Sequence, residues 1–377
     1  MITHALRTRL LWLAISGALL ACRSGDTAER IDVVLRDRIP LGEFGGSSAG
    51  VMVRRGESTG VLMVAAEGGS RVLLIRPDRS RAEVSLPDTQ ILVSNLGVSG
   101  NSLWIADAGA QRVVTRTGEG PWHETFVPTI QANEVPTVVG VLADSEVVVT
   151  TPVEDGRRTK QILVALVRRN VAKVVDSISQ SEGEMRVESP DGGTTILLRQ
   201  PWAYRDLSVI GGGGHTLTLL RQRRPTRAHE SGPLVVVEDV STAGRVVAQE
   251  SLRFHQPARV DIATHKWVRA IMTDSLVQFL GGRTRTEAIL LASVVQPSQL
   301  PAIRRAVRAS RTALLLERIT SDPRRSAWEI WQRWRRTGAF ELAPGILLQD
   351  ATDSTIWATT RKGPDEIDIL VYSIRRR

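Results

Sequence analysis

The chain alternates short apolar runs with clusters of turn residues, and one such stretch repeats. Residues 61–73, Val-Leu-Met-Val-Ala-Ala-Glu-Gly-Gly-Ser-Arg-Val-Leu, align without a gap to residues 102–114, Ser-Leu-Trp-Ile-Ala-Asp-Ala-Gly-Ala-Gln-Arg-Val-Val. Each copy reads as an apolar strand, a turn carrying Gly68 or Gly109, then Arg71 or Arg112 opening a second apolar strand. Residues 144–151 and 353–360 share the frame Asp-Ser, an apolar run, and a closing Thr-Thr. Two further runs, 216–220 and 312–316, fit the same slot. With Leu62, Leu103, Val147, Leu217, Leu314 and Ile356 as corresponding positions, the spacings are 41, 44, 70, 97 and 42 residues.

A period of about 42 residues, made of short strands and turns, is the size of one propeller blade. A single blade cannot bury both of its faces, whereas radial stacking covers each face with a neighbour. Six copies therefore predict an all-β fold, a six-bladed β-propeller of four-stranded antiparallel blades. The two long spacings must hold insertions. The first contains the polar stretch Ser179–Glu184, read as an extended hairpin loop. The second contains Trp267, Ile271, Met272, Leu276, Phe279 and Leu280 at helical spacing, which predicts a helix over 262–280 stopped by Gly281-Gly282. Another helix is expected over Glu287–Val295, placing a helical insertion at about 260–300, before the fifth blade. Closure of the ring is assigned to Ile31–Arg36, pairing with the last strand, Ile369–Ile374, so that neither edge is left open.

The segment Gly97–Val114 carries a more specific signal. It runs as an apolar pair, a turn, an aromatic strand ending in Ala106-Asp107, then Gly109 and Arg112-Val113, and so resembles an NHL-type propeller repeat. The first unit has Ala66 where that family favours the acid, and the later units keep mainly the strand pattern. NHL-type propellers include scaffolds, ligand sensors, RNA binders and a few enzymes, so the resemblance implies the fold and leaves the activity open.

The N-terminus has a different pattern. Arg7 and Arg9 precede the apolar run Leu10–Ala18, and Leu19-Leu20-Ala21-Cys22 follows. A basic start, a short apolar core and a small residue before the cut make an export signal, too short to be a spanning helix. Its Leu-Leu-Ala-Cys ending resembles a bacterial lipoprotein signal, in which the cysteine is acylated and becomes the first mature residue. Cys22 is the only cysteine, so it serves no intrachain disulfide. Arg23, where an Asp would hold a lipoprotein at the inner membrane, implies the outer membrane of a Gram-negative envelope. The expected organisation is a signal over 1–21, a polar tether over 22–30 and the propeller over 31–377. As a whole, the mature chain resembles six-bladed propeller lipoproteins of GC-rich environmental bacteria.

Composition changes this picture little. Mature length, about 355 residues, is ample for one large core. Lys and Arg number 49 against 40 Asp and Glu, for a net charge of +9, or +7 once Arg7 and Arg9 leave with the signal. Only Lys160, Lys173, Lys266 and Lys362 are lysines. No aromatic-plus-basic nucleic-acid module is present, and at an exported address a basic surface suits anionic lipid or glycan instead. Nucleic acid is not an expected partner.

Candidate chemistry is sparse. His123, His215, His229, His255 and His265 show no close metal-ligand spacing, so no metal is assigned and the cofactor is left open. Asp107 is read as capping its own turn, and Gly211–Gly214 as a hairpin turn, since no Lys-Ser/Thr and no helix follow it. No catalytic residue is assigned. Trp328, Trp331 and Trp334, interleaved with Arg333 and Arg335, are the conspicuous aromatic group. On a strand, Trp328 and Trp334 face one side and Trp331 the other. Packing between blades is expected; the alternative is a binding surface on which at least one ring lies exposed beside arginines, suiting a sugar face or an acidic partner. The expected function is a non-catalytic binding or scaffolding lipoprotein, with an envelope protein or anionic glycan as partner. The alternative is a pore-mouth, metal-assisted hydrolase or lyase acting on a glycan or lactone.

Overall fold

In the computed structural model, the first strand of the chain is also the last piece of the ring. The structure describes residues 29–42, 50–56, 60–99, 101–130, 134–142, 146–154, 160–180, 184–189, 192–199, 207–209, 216–223, 234–254, 260–294, 302–310, 312–363 and 366–376. β1 (Glu29–Gly42) lies on the rim. Blade 1 then follows as β2 (Val51–Arg55), β3 (Leu62–Ala66), β4 (Val72–Ile75) and β5 (Arg81–Glu83). Blade 2 is β6 (Val93–Ser99), β7 (Ser102–Asp107), β8 (Arg112–Thr117) and β9 (Trp122–Phe126), and blade 3 is β10 (Thr137–Val141), β11 (Val147–Glu154), β12 (Lys160–Arg168) and β13 (Val171–Gln180).

A two-stranded hairpin, β14 (Glu184–Glu188) and β15 (Thr195–Arg199), precedes blade 4, which is β16 (Leu207–Val209), β17 (Thr216–Arg223), β18 (Leu234–Ser241) and β19 (Val246–Arg253). Three helices follow: α1 (Val260–Ile271), α2 (Asp274–Phe279) and α3 (Arg283–Ser293). Blade 5 is β20 (Ile303–Ser310), β21 (Ala313–Arg318), β22 (Ser326–Gln332) and β23 (Arg335–Leu342). Blade 6 is β24 (Ile346–Ala351), β25 (Thr355–Arg361) and β26 (Ile367–Arg376), completed by β1 as its fourth strand.

The pairing that closes the ring is the one the sequence predicts. Val33, Val34 and Leu35 sit opposite Ile374, Ser373 and Tyr372, and the antiparallel ladder continues to Gly42 opposite Ile367. At its other end β1 runs parallel to β23, with Glu29 beside Gly338 and Arg30 beside Ala339. One strand therefore ties the outer edges of blades 5 and 6 together.

The repeat positions found in the sequence all lie on the second strand of a blade. That strand is covered on both sheet faces, which is why it reads as an unbroken apolar run rather than an alternating one. All five residues of β3 are buried, as are the first five of β21. Core clusters form between neighbouring blades: Val64 and Ile75 of blade 1, for example, pack with Ile369 of blade 6, and Ala106 of blade 2 with Val149 of blade 3. Close approach makes one glycine obligatory. Gly97 pairs with Trp104, and a Cβ there would lie 2.7 Å from the Trp104 Cζ2. Gly97→Ala is expected to cost about 1–3 kcal/mol by overpacking, read as a lower urea midpoint. A midpoint unchanged from wild type would show that the indole can move aside.

Strand alternation puts the crossings between blades and the second-to-third strand turns at one end of the ring. Both insertions leave from such crossings and meet there. Val187 of β14 packs with Trp267, Val268, Leu276, Leu280, Leu290, Val294 and Ile319, with Ile196 and Leu198 of β15 against them. The Trp267 Nε1 donates to the Thr320 carbonyl at 3.3 Å, and the Arg304 guanidinium lies 5.5 Å over its ring. The cap thus rests on the β21–β22 turn of blade 5.

Three details depart from the sequence reading. The stretch 179–184 is not a hairpin loop: Ser179 and Gln180 finish β13, Glu184 opens β14, and the hairpin itself follows, while residues 181–183 lie outside the described residues. The expected single helix over 262–280 is two, broken at Thr273, whose Oγ1 accepts from the Leu276 N–H at 3.2 Å as an N-cap. Phe279, counted on its apolar face, is exposed. The following helix begins at Arg283 rather than Glu287, directly after Gly281 and Gly282, whose φ values of +81° and +111° suit only glycine.

Candidate functional site

The six innermost strands, β2, β6, β10, β16, β20 and β24, surround the propeller axis, where ligands of this architecture would enter. Among the described residues, their apolar positions pack between blades, and the polar side chains they carry include Arg54, Arg55, Asn95, Arg308, Gln349 and Asp350. Each has a partner. Asp350 accepts the Arg55 N–H at 2.7 Å and the Ala351 N–H at 2.8 Å. The Arg54 Nη1 donates to the Val53 and Gln349 carbonyls, both at 3.0 Å, and the Arg55 guanidinium lies 5.4 Å over the Trp357 ring. The Asn95 Nδ2 donates to the Val138 carbonyl of the next blade at 3.2 Å. Gln222, at the end of β17, clasps both backbone groups of Ile303, accepting at 3.1 Å and donating at 2.9 Å.

Local backbone irregularity aims these side chains. The β24–β25 register shifts between Leu348 and Asp350, and the β6–β7 register between Val93 and Asn95. A bulge re-aims the residue beside it, here turning Asp350 and Asn95 toward the adjoining blade. The result is a set of polar ties between innermost strands, placed where apolar packing between blades ends.

Electrostatically, the seam between blades 6 and 1 stands apart. Burial pushes the Asp350 carboxyl above its usual value of 3.8, against the opposing pull of the Arg55 N–H and the Arg54 charge. Burial likewise lowers Arg54, and Asp350 only partly restores it. A carboxyl whose folded pKa is raised takes up a proton on folding. Its contribution is therefore present at acid pH and is lost as pH rises through the raised pKa. Asp350→Asn cannot ionise. Comparing urea midpoints across pH 3–9 is expected to show wild type losing stability relative to Asp350→Asn as pH rises. A difference that stays constant with pH would show that Asp350 titrates alike in the folded and unfolded chains.

Asp107 does what its place in the turn implies. Its Oδ1 accepts the Gly109 N–H at 3.0 Å and the Leu92 N–H at 3.1 Å, while Oδ2 takes the Arg112 Nε at 3.0 Å. Arg112 also reaches Glu124 and Asp88. Of the histidines, His123 lies on β9 and His265 is exposed on α1, 3.7 Å from Glu287. The other three, with Gly211–Gly214 and Cys22, lie outside the described residues. Among the described residues, no three His, Cys, Asp or Glu side chains gather at metal-binding distance. No described helix is long and apolar enough to cross a membrane.

The tryptophan–arginine set divides. Trp328 is 1% exposed and stacks on Phe340, with ring centroids 6.4 Å apart, in the core shared with blade 6. Trp331 points to the opposite face, against Phe254 of the blade 4 side, and its Nε1 donates to Glu329 at 3.1 Å. Glu329 is held in turn by Arg318 at 2.8 Å and Arg336 at 3.3 Å. Both rings are packing residues. Arg333, Trp334 and Arg335 are brought together at the surface, where Arg333 and Trp334 form the two-residue β22–β23 turn with φ values of +48° and +65°. Left-handed backbone at two non-glycine residues costs roughly 1–2 kcal/mol each. Both arginines are exposed and the Trp334 ring is half-buried. Sequence alternation had placed Trp334 on the face of Trp328; the turn breaks that alternation.

No family model matches the chain, and no curated protein matches it. Solved structures similar to it include the virginiamycin B lyase of Staphylococcus aureus, 12% identical, covering 90% of this chain and 99% of that one, with a TM-score of 0.39. A gluconolactonase of Xanthomonas campestris is 12% identical over 92% of this chain and 96% of its own, with a TM-score of 0.41. A luciferin-regenerating enzyme is 8% identical over 90% and 94%, with a TM-score of 0.42. No residue of this chain takes a role from them.

Proposed function

We propose that this chain is an exported lipoprotein, acylated at Cys22, whose propeller serves as a non-catalytic binding or scaffolding body at the cell envelope, on the outer membrane. The observation that carries the reading is the place of β1. The segment that would join the lipid to the fold runs directly into the strand that closes the ring, so an anchor there would hold the whole propeller by its seam. The state of the innermost strands supports the non-catalytic part. Arg54, Asn95 and Asp350 serve as ties between blades, each already bonded to backbone of a neighbouring innermost strand. Partners of suitable chemistry are an envelope protein or an anionic glycan.

Affinity capture of the tagged, anchored protein from its own membranes tests this. A stoichiometric envelope partner is expected, lost with Cys22→Ala, and the N-terminal peptide of wild type is expected to carry acyl chains. Recovery of an acylated chain alone would contradict scaffolding, and a Cys22 peptide of unmodified mass would contradict the anchor.

One observation favours the alternative, a hydrolase or lyase acting on a glycan or lactone at the pore mouth. Asp350 sits on an innermost strand with a carboxyl that holds its proton above the ordinary range, beside Arg54. Turnover of a lactone or glycan panel that disappears in Asp350→Asn would establish that reading. Equal behaviour of the two proteins would leave Asp350 as a blade tie.

A further inference from the structure

We infer that the end of the ring where the tether enters rests on an anionic phospholipid surface, through the Arg333–Trp334–Arg335 turn and Arg375. The inference rests on the anchored reading above and adds an orientation to it. Register fixes the geometry. β1 is parallel to β23, with Glu29 beside Gly338, so β1 begins on the Arg335 side of that pairing, the side of the Arg333–Trp334 turn. β26 is antiparallel to β1, with Arg376 opposite Ile31, so the last strand runs toward the same end of the ring and stops about level with the middle of β23, where Arg30 meets Ala339. The start of β1, the turn and the end of the last strand thus lie toward the same end of the ring.

Reach then brings that edge to the membrane. Cys22 precedes Glu29 by seven residues, which span about 25 Å at full stretch. A lipid on Cys22 therefore keeps this edge close to the bilayer. The chemistry of the edge suits that position. Arg333, Arg335 and Arg375 are exposed, and Arg30 and Arg376 hold strand positions beside them. The carboxylates nearby are fewer: Glu29, Asp32 opposite Arg375, and Asp353 on the turn whose Ser354 carbonyl accepts from the Ile374 N–H at 2.8 Å.

Trp334 adds an independent sign. A two-residue hairpin turn favours Asn-Gly, yet this one holds Arg-Trp in left-handed backbone. The Trp334 ring packs one side on the core between blades 4 and 5 and leaves the other beside two exposed arginines, a mixed surface that fits the headgroup zone of a bilayer. Arg169 and Asn170 take the same left-handed pair in the corresponding turn of blade 3, so the departure here is the bulky Trp334 at the position Asn170 holds there.

The test uses the mature chain carrying Cys22→Ala, which bears no lipid, and phosphatidylethanolamine vesicles with or without phosphatidylglycerol. Sedimentation with the phosphatidylglycerol vesicles is expected, weakened by salt and reduced at least about 25-fold by Arg333→Glu with Arg335→Glu, since each cation near such a surface contributes about fivefold. On the same vesicles, brominated acyl chains are expected to quench a fluorescence component that is missing from Trp334→Phe. Binding indifferent to phosphatidylglycerol or to the charge reversals, or quenching that Trp334→Phe leaves unchanged, would overturn the docking surface. Failure of the anchor itself is read separately, from the mass of the Cys22 peptide, and does not alter these vesicle results.

Discussion

Deleting residues 29–42 abolishes cooperative folding of the ring. β1 contributes the whole fourth strand of blade 6 and, among the described residues, the strand that joins that blade's rim to β23. Ile31, Ile39 and Leu41 are buried, Ile31 in the core of blades 5 and 6 and the other two between blades 6 and 1. Burial of three such side chains contributes together about 5–9 kcal/mol. That is the size of the entire stability of an ordinary domain, about 5–15 kcal/mol. Loss of the strand also exposes two ladder edges, on β26 and β23, and invites pairing between chains. The deleted protein is expected to lack a cooperative urea transition and to aggregate. Ile39→Ala grades the same effect, at about 2–5 kcal/mol. A deletion that still unfolded cooperatively as a monomer would show that five complete blades and three strands hold without the seam.

Trp328→Ala is expected to cost about 3–5 kcal/mol and to leave surface properties unchanged in the molecules that fold. The side chain fills the interface between blades 5 and 6, flanked by Phe340 and by Arg305, whose guanidinium lies 5.4 Å over the ring. Its Nε1 donates to the Ser326 Oγ at 2.9 Å, and that hydroxyl donates to the Glu317 carboxylate at 2.8 Å. Arg305 holds the other oxygen of Glu317 at 2.6 Å. Truncation therefore opens a cavity beside the buried Glu317 carboxylate and removes one bond from its support. Trp328→Phe keeps a ring against Phe340 and gives up mainly the Ser326 bond, for about 1–2 kcal/mol. Urea midpoints of the three proteins give the order directly. A Trp328→Ala protein as stable as wild type would mean that the ring does not sit between blades.

Much of the ring was legible because second strands are special. Leu62, Leu103, Val147, Leu217, Leu314 and Ile356 lie on strands buried on both faces, and such strands leave unbroken apolar runs that can be aligned. First strands were far less visible. They face the axis on one side, carry Arg54, Asn95 and Asp350, and contain bulges that break strict alternation. The seam site lay beyond sequence reasoning for a simple reason. Asp350 meets the Arg55 N–H across 295 positions of chain, and no spacing rule connects them. The tryptophans show the opposite failing: period-two alternation ends at Gln332, and Trp334, two residues on, sits in a turn. A signal for the split helix was present in Thr273-Asp274, an N-cap followed by an acid in the first turn. Val187, Ile196 and Leu198 likewise marked the inserted hairpin, although its partners are helices more than 60 residues away.

The register of β1 on β26 is the feature on which ring closure and anchor position both depend, and cysteine pairing reads it directly. In a mature Cys22→Ala chain, Val33→Cys with Ile374→Cys places two thiols on directly opposed residues. Opposed Cα atoms in an antiparallel pair lie about 4.5–5.5 Å apart, within the span of a disulfide. Val34→Cys with Ile374→Cys shifts one partner to the other face of the sheet. Oxidation is expected to join 33 to 374 within a single chain, seen as faster migration without reductant, and to leave the shifted pair open. No bridge at 33 and 374, or an equal yield from the shifted pair, would contradict a ring closed by its own N-terminal strand.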